Sequence, residues 1–418
     1  MEKEIEKAVL AGLNSDVLTD DEQATEESME ELEALLNTAG GVSCGAVLQS
    51  RSEPNPRTFI GEGKVSELKA LIDANDCTLA VFDNELTPSQ MRALSDDLGV
   101  RVIDRSALIL DIFAQRAKTR EGRLQVELAQ YKYVLPRLTG MWSHLVRQTS
   151  SSSPIGTRGP GETQLETDRR HIRKKIQKLE SELEDVRRVR ATQRRLREKN
   201  GMPVVALVGY TNAGKSTLLN KLTDARIPAA DRLFDTLDTT TRRLKISDTQ
   251  EVLLSDTVGF IRKLPHHLVE AFKATLEELK FADVLLHVID VSNPEWYVQA
   301  EVVDKLIMQL GAEQTPCIRV YNKCDKANTE LLYPEQLSVR ISAMTGEGTD
   351  TLLHMVEKVL DKGKKQVTIH LPYAKGGFIE TLHKEARVIK CDYSDEYIEI
   401  EAVVTPEIYG KIREFVVE

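Results

Sequence analysis

Residues 203–222 read PVVALVGYTNAGKSTLLNKL, and this stretch decides the fold around it. VVALVG is an unbroken apolar run, the pattern of a strand buried on both faces. GYTNAGKS fits GxxxxGK[ST], and STLLNKL continues as a helix, so the motif has the strand before it and the helix after it that it needs. Gly209 and Gly214 let the backbone wrap closely around phosphates, and successive N–H groups at the helix N-terminus favour an anion. Lys215 reaches the β- and γ-phosphates as a point charge, and the Ser216 hydroxyl can ligate Mg²⁺.

Further motifs follow in order. LLSDTVGF ends an apolar strand at Asp256, whose carboxylate can hold Mg²⁺ through water, and brings the Gly259 N–H to the γ-phosphate. CIRVYNKCD gives Asn322, Lys323 and Asp325 in an NKxD arrangement. An aspartate there accepts two hydrogen bonds from the guanine N1–H and exocyclic amine. Adenine lacks that amine and its N1 is an acceptor, so this element argues for GTP over ATP. VRISAMTGEG supplies Ser342 and Ala343, whose backbone is expected near the guanine O6. Between these motifs lies RLFDTLDTTTRRLKI, where a switch threonine could ligate Mg²⁺ and read the γ-phosphate. Thr236, Thr239, Thr240 and Thr241 compete, and the last three also suit the start of a strand. Thr236 is preferred, because Phe234 and Leu237 beside it can anchor a closed loop.

The expected nucleotide-contacting set is Gly209, Tyr210, Thr211, Asn212, Ala213, Gly214, Lys215, Ser216 and Thr217, then Phe234, Asp235, Thr236, Leu237 and Asp238. Asp256, Thr257, Val258, Gly259, Asn322, Lys323, Cys324, Asp325, Ser342, Ala343 and Met344 complete it. Lys215, Thr236 and Gly259 are the expected catalytic groups, with Ser216 and Thr236 on the metal.

Around this centre the chain divides into four expected domains. Residues 1–105 alternate apolar runs (KAVLAGL, VSCGAVLQ, TLAVFD, VRVID) with helical patterns, which predicts a parallel α/β unit. Asp83, Glu85 and Asp104 lie near its strand ends, yet no metal or catalytic spacing emerges from them. Residues 106–200 carry no strand signal. Ala117, Leu124, Leu128, Tyr131, Leu135 and Leu138 recur at steps of three, four or seven, and Ile172, Ile176, Leu179, Leu183 and Val186 step similarly. That spacing describes an antiparallel coiled-coil hairpin. Its loop, 149–164, contains SSSSPIGTRGPGETQ. Residues 201–364 form the P-loop domain, and 365–418 a small α+β unit of three strands and a closing helix, TPEIYGKIREFV.

The bulk numbers are those of a globular protein: 41% hydrophobic, 29% charged and a net charge of −10. Acidity of the whole does not exclude nucleic acid, since local patches decide binding. Five cysteines without a CxxC pair fit neither a zinc site nor a disulfide scaffold, so a cytoplasmic location is expected. No 18-residue apolar run and no signal-peptide pattern is present, so no integral membrane segment is expected. From Asp168 onward the second hairpin arm is rich in Lys and Arg. Such cations neutralise RNA phosphates, and arginine can stack on bases. Arg147, Arg158, Arg169, Arg170 and Arg173 are the RNA-contact candidates, against the plainer reading of a solvated helix face and a Ser/Gly linker.

With these residues in view, the sequence resembles the HflX family of translation-factor-related GTPases along nearly its whole length. The stretches that carry the likeness are FIGEGKVSEL, VFDNELTPSQMR, GTRGPGETQLETDRR, GYTNAGKSTL, TLDTTTRR, DTVGFI and NKCD. PGETQLETDRR is the most distinctive, because a generic GTPase has nothing like it. Thr239 stands where the family usually has proline, and the match supports Thr236 as the switch residue. The resemblance implies a cytoplasmic GTPase using Mg²⁺, which binds the large (50S) ribosomal subunit and its rRNA and splits stalled or idle ribosomes under stress; a monomer is expected. It also implies a weaker ATPase activity, peripheral membrane association, and a hairpin loop that reaches the peptidyl-transferase centre. The alternative is a nucleotide-regulated ribosome- or RNA-binding module in which hydrolysis only recycles the protein. Many GTPases place a water-orienting glutamine just after DxxG; here Phe260 and Ile261 follow, so low intrinsic turnover is expected.

Overall fold

The computed structural model describes residues 5–19, 22–149, 160–199, 202–223, 233–234, 240–247, 250–265, 268, 270, 272, 276–327, 336–394 and 396–417. These gather in two units. The first holds Met1–Arg187 with Ala230–Asp238 and Ile261–Ala274; the second holds Arg188–Ala229, Thr239–Phe260 and Thr275–Glu418.

In the first unit, β1 (Lys7–Asn14), α1 (Glu26–Ala39), β2 (Val42–Ser50), α2 (Glu62–Asn75), β3 (Leu79–Phe82), α3 (Pro88–Leu98) and β4 (Arg101–Asp104) build a parallel sheet of order β2-β1-β3-β4. Its strands are the apolar runs read from the sequence; six consecutive residues of β1 are buried. Capping sets the helix ends. Thr25 and Thr87 each form a capping box, with Ser28 and Gln90, and Pro88 opens α3. Gly99 ends α3 in the left-handed region at φ 77°, where a side chain would be strained.

The unit continues through α4 (Arg105–Arg116) into the hairpin helices α5 (Arg120–Thr149) and α6 (Pro160–Lys199), the last of which belongs to it as far as Arg187. Leu124, Leu128, Leu179 and Leu183 form a buried seam, with Tyr131 and Ile176 packed against it. Arg120 pairs with Glu182 at 3.5 Å and Lys175 Nζ donates to the Tyr131 hydroxyl at 2.7 Å, so positions rise in one arm as they fall in the other. The arms are therefore antiparallel. Two details differ from the sequence reading. Ala117 lies in the short link between α4 and α5 rather than in the arm, because α4 ends there. Residues 160–164, expected in the loop, are the first turn of α6; proline is well tolerated at a first helical position, where its missing N–H has no partner to lose.

The second unit contains β5 (Val204–Gly209), α7 (Lys215–Thr223), β6 (Thr240–Ser247), β7 (Gln250–Asp256), β8 (Val284–Asp290), α8 (Trp296–Gln309), β9 (Cys317–Asn322), β10 (Ser338–Arg340) and α9 (Thr349–Leu360). The sheet order is β10-β9-β8-β5-β7-β6, parallel except for β6. Val205, Leu207, Leu254, Leu286, Val288, Ile318 and Val320 form its core. A second, antiparallel sheet follows: β11 (Lys365–Leu371), β12 (Arg387–Tyr393), β13 (Ile398–Val404) and β14 (Val416–Val417), in the order β12-β13-β11-β14. The helix α10 (Gly377–Glu385) precedes β12, and α11 (Pro406–Ile412) follows β13. The expected closing helix is thus shorter than TPEIYGKIREFV. A 3₁₀ turn replaces it at Arg413, and the β-branched pair Val416–Val417 joins the sheet edge.

Candidate nucleotide site

Strand β5 ends in the phosphate loop at the carboxyl end of the sheet, where open α/β folds place their ligands. Two glycines are required there by close approach. A Cβ on Gly209 would strike the Val288 carbonyl, and one on Gly214, at φ +95°, would strike the Asn322 amide. Tyr210 bridges to Phe260. Thr211 N–H donates to the Phe260 carbonyl at 2.7 Å, and Phe260 N–H donates to Gly209 O at 3.2 Å. The loop and the segment after Asp256 are thereby zipped together by backbone. Gly259 also has to be glycine, since a Cβ would come within 2.9 Å of Thr211 Cγ2 and 3.2 Å of Lys215 Nζ.

Lys215 curls back over this loop. Its ammonium donates to the carbonyls of Gly209 at 3.0 Å and Tyr210 at 2.8 Å. Burial lowers its pKa to about 8, with Asp256 partly offsetting that penalty. Ser216 Oγ donates to Asp256 Oδ2 at 2.8 Å, and Asp256 is fully buried. The Thr211 hydroxyl is buried with no hydrogen-bond partner among the described residues. Asn212 takes φ +61°. Ala213 is buried in the loop, and Thr217 follows Ser216 in the first turn of α7.

The donor set fits a hard divalent cation. Ser216 and Asp256 present a hydroxyl and a carboxylate within hydrogen-bonding distance of each other, and oxygen ligands suit Mg²⁺, which takes few protein groups and relies on phosphates and water for the rest. No cluster of three or more His, Cys, Asp or Glu able to hold a metal occurs among the described residues.

Several expected contacts resolve differently. Asn322 is committed to the protein. Its Nδ2 donates to Ala213 O at 2.8 Å, and its Oδ1 accepts from Ala343 N–H at 2.9 Å. It positions the phosphate loop and the base loop against each other, and the Ala343 N–H, expected on the guanine O6, is taken up by it. Lys323, at φ +64°, pairs with Asp290 at 2.7 Å, a partner that the motif reading missed although it too caps an apolar strand. Cys324 Sγ donates to Tyr321 O at 3.2 Å. Asp325, the expected base-reading carboxylate, is exposed. Ser342 is buried, its Oγ accepting from Thr345 N–H at 3.2 Å, while Met344 is exposed. Thr257 donates to Leu207 O at 2.6 Å and Val258 is buried, so both side chains serve the core.

Asp235, Thr236, Leu237, Asp238 and the rival Thr239 lie outside the described residues, as does Arg158. Phe234 lies in the first unit at φ +56°, buried edge-on against Phe113 with ring centroids 4.6 Å apart; Phe113 also meets Phe272 at 5.2 Å. Of the arginine candidates, Arg147 lies in the last turns of α5. Arg170 and Arg173 are exposed on α6, and Arg169 is half-buried. No helix among the described residues is long and apolar enough to cross a membrane.

Comparison with known proteins agrees along the chain. The family model described as GTP-binding GTPase N-terminal matches residues 26–114, GTP-binding GTPase Middle Region matches 116–197, and 50S ribosome-binding GTPase matches 204–323. The chain is 47% identical over 415 residues to GTPase HflX of Lacrimispora saccharolytica, covering 99% of this chain and 97% of that one. It is 45% identical over 358 residues to GTPase HflX of Escherichia coli, covering 84% and 83%. It is also similar to a crystallised GTP-binding protein of the archaeon Sulfolobus solfataricus in complex with GDP, at 24% identity and a TM-score of 0.45, covering 86% of this chain and 99% of that one. A phosphate loop closed by backbone on Phe260, an exposed aspartate at the guanine motif and relatives of this closeness along the chain lead to one conclusion: the chain belongs to the HflX family of GTPases and hydrolyses GTP.

Proposed function

We propose that this GTPase binds the large (50S) ribosomal subunit and splits stalled or idle ribosomes, under stress, with nucleotide state setting the grip. The observation that carries the reading is the union in one chain of the Lys215–Ser216–Asp256 site with a two-helix arm bearing exposed Arg170, Arg173, Lys174 and Lys175. A family model named for 50S binding matches the nucleotide domain. In this reading residues 201–364 are the switch, and the hairpin of residues 106–200 is the arm that meets rRNA. The arm has the reach: α5 has 30 residues and α6 has 40, at about 1.5 Å of rise per residue. Mg²⁺ held by Ser216, by Asp256 through water and by Thr236 would neutralise charge on the β- and γ-phosphates. Lys215 leaves its two carbonyl partners for those same oxygens. Gly259 then offers its N–H to the γ-phosphate.

The test is co-sedimentation with purified large subunits and with intact ribosomes, using a non-hydrolysable GTP analogue, GDP and no nucleotide. The reading expects the analogue-loaded chain to bind tightly and dissociate intact ribosomes. Equal binding in all three states overturns it. A second reading, in which hydrolysis only recycles the protein, draws on Phe260: this side chain, in the position after DxxG, is 1% exposed and cannot orient water. Full splitting with the analogue, followed by failure to release, would favour it.

A further inference from the structure

Asp83, Glu85 and Asp104 carry no motif, yet the structure gives them a shared place. Strands β3 and β4 are adjacent and parallel, with Phe82 opposite Asp104, so Asp83 and Asp104 emerge at the same carboxyl edge of the sheet. Both carboxylates are completely buried.

Asp83 gathers the first cluster. It accepts from Arg105 at 2.7 Å and from Ser28 Oγ at 2.7 Å, and it pairs with the ammonium of Lys263. Arg105, itself 2% exposed, also pairs with Glu31. Lys263 comes four residues after Gly259, in the Ile261–Ala274 segment that belongs to the first unit. Its backbone sits at φ +55°, a conformation that costs a lysine roughly 1 kcal/mol and persists only where surrounding contacts hold it. Burial also lowers its pKa, and Asp83 is the largest group opposing that shift.

Asp104 gathers the second. Its Oδ1 caps α4 through Ala107 N–H at 2.9 Å and accepts the Tyr133 hydroxyl at 2.9 Å. Its Oδ2 accepts from Arg137 at 3.1 Å. The Arg137 guanidinium lies 3.6 Å over the Tyr133 ring, and it also donates to Leu86 O at 3.3 Å and pairs with Glu85 at 3.6 Å. Tyr133 and Arg137 are one turn apart on α5, the arm that leads to the hairpin tip.

Asp104 and Arg105 are consecutive residues at a strand-to-helix junction. One side chain holds the hairpin arm; the next, through Asp83, holds the segment that follows the γ-phosphate-reading glycine. We propose that this junction is a relay, with Lys263 the positioning residue through which nucleotide state reaches helix α5. The relay rests on the proposed role of the hairpin as the ribosome-directed arm. Its physical basis is that buried charges do not slide continuously. Withdrawing Lys263 strips a buried carboxylate of one of its two cations, so the neighbouring groups must adopt a second discrete arrangement.

The test is hydrogen exchange on the full-length chain, reading the amides of residues 128–138 with a non-hydrolysable GTP analogue and with GDP. The wild-type chain is expected to show a difference of at least about fivefold between the two states, the low end of typical site–site coupling. Lys263→Met should abolish that difference. Tyr133→Phe, which deletes one hydroxyl, should reduce it, and the double variant should go no further than Lys263→Met alone. Urea titration checks that each variant is folded; should Lys263→Met fail, Tyr133→Phe carries the test by itself. Identical wild-type exchange in the two states, or a difference undiminished in the folded variants, overturns the relay and leaves a structural clamp. Co-sedimentation with large subunits is scored separately. Nucleotide-independent ribosome binding alongside nucleotide-dependent exchange sinks the proposed function and spares the relay.

Discussion

Each unit of the molecule buries a polar assembly, and the two are made by opposite means. In the second unit the phosphate site is written largely in backbone. Gly209, Gly214 and Gly259 lack a Cβ because a carbonyl, an amide or a threonine methyl already occupies the space, and Thr211 and Phe260 pair through main-chain atoms. In the first unit the junction is written in side chains: Ser28, Asp83, Asp104, Arg105, Tyr133, Arg137 and Lys263 come from well-separated stretches. A backbone site must advertise itself as a run of glycines at fixed spacing, because no other residue fits. A side-chain site needs only that the right charges meet, and nothing in the local sequence records the meeting.

The side-chain site should be the more fragile of the two. Asp83→Ala leaves Arg105 and Lys263 buried beside each other without their shared carboxylate. Removing one partner of a buried pair costs about 3–5 kcal/mol, to be read as a lower urea midpoint. Replacing Asp83, Arg105 and Lys263 together by apolar residues of similar volume should recover most of that loss. A single-variant cost below about 1 kcal/mol, the range of exposed ion pairs, would break the comparison.

The backbone site should tolerate side-chain loss in stability but not in chemistry. Lys215→Met keeps the glycine cradle and removes the cation proposed to meet the phosphates. The expected loss in kcat/KM for GTP is about 10²-fold or more, on the scale of deleting one preorganised charge donor. Steady-state kinetics of the purified chain measure it, and an unchanged urea midpoint within about 1 kcal/mol would show that the cradle stands without the ammonium.

How much could be read in advance follows the same division. Apolar runs such as KAVLAGL and TLAVF announce parallel strands because both faces are buried, and leucines at heptad-like spacing announce the hairpin seam formed by Leu124, Leu128, Leu179 and Leu183. The phosphate loop is legible because its flanks carry two different periodicities. What escaped was set by tertiary contact. Ala117 fits the periodicity of the arm, yet α4 stops there. Asn322 has a nucleotide-motif address, yet it spends its amide on Ala213 and Ala343. Asp83 and Asp104 look like ordinary loop acids until Arg105 and Tyr133 are placed beside them. Phe113 reads as one more apolar residue of α4, with no sign that Phe234 and Phe272 pack on it.

A smaller effect comes from pH. Burial lowers the Lys215 pKa to about 8 from an ordinary 10.5. Bound phosphates favour the charged form, so nucleotide binding draws a proton onto this lysine. Affinity for GTP should therefore hold steady from about pH 7 to about pH 8 and then fall, by up to about tenfold per pH unit. For the nucleotide-free fold the sign is opposite. The unfolded chain binds more protons between about pH 8 and 10.5, so this group's contribution to stability rises with pH across that window. Titrating a fluorescent GTP analogue at a series of pH values gives the first profile. A profile from Lys215→Met as steep as the wild type would show that another group is responsible.

The smallest expected effect tests whether the gap after DxxG is a matter of residue type at all. Restoring the common glutamine by Phe260→Gln supplies a water-orienting side chain in sequence. In structure the position is 1% exposed, and its backbone is fixed on both sides, to Gly209 and to Thr211. A glutamine there inherits that buried environment, so it cannot reach an in-line water without breaking the main-chain pairing that shapes the phosphate loop. The basal GTPase rate should change by less than about twofold, while burying an unpaired amide should cost about 1–3 kcal/mol of stability. A rise of tenfold or more in basal rate would mean that this segment swings clear of the loop during turnover. The backbone site would then be as rearrangeable as the side-chain junction, and the contrast between the two would lie in residue type rather than in how each is built.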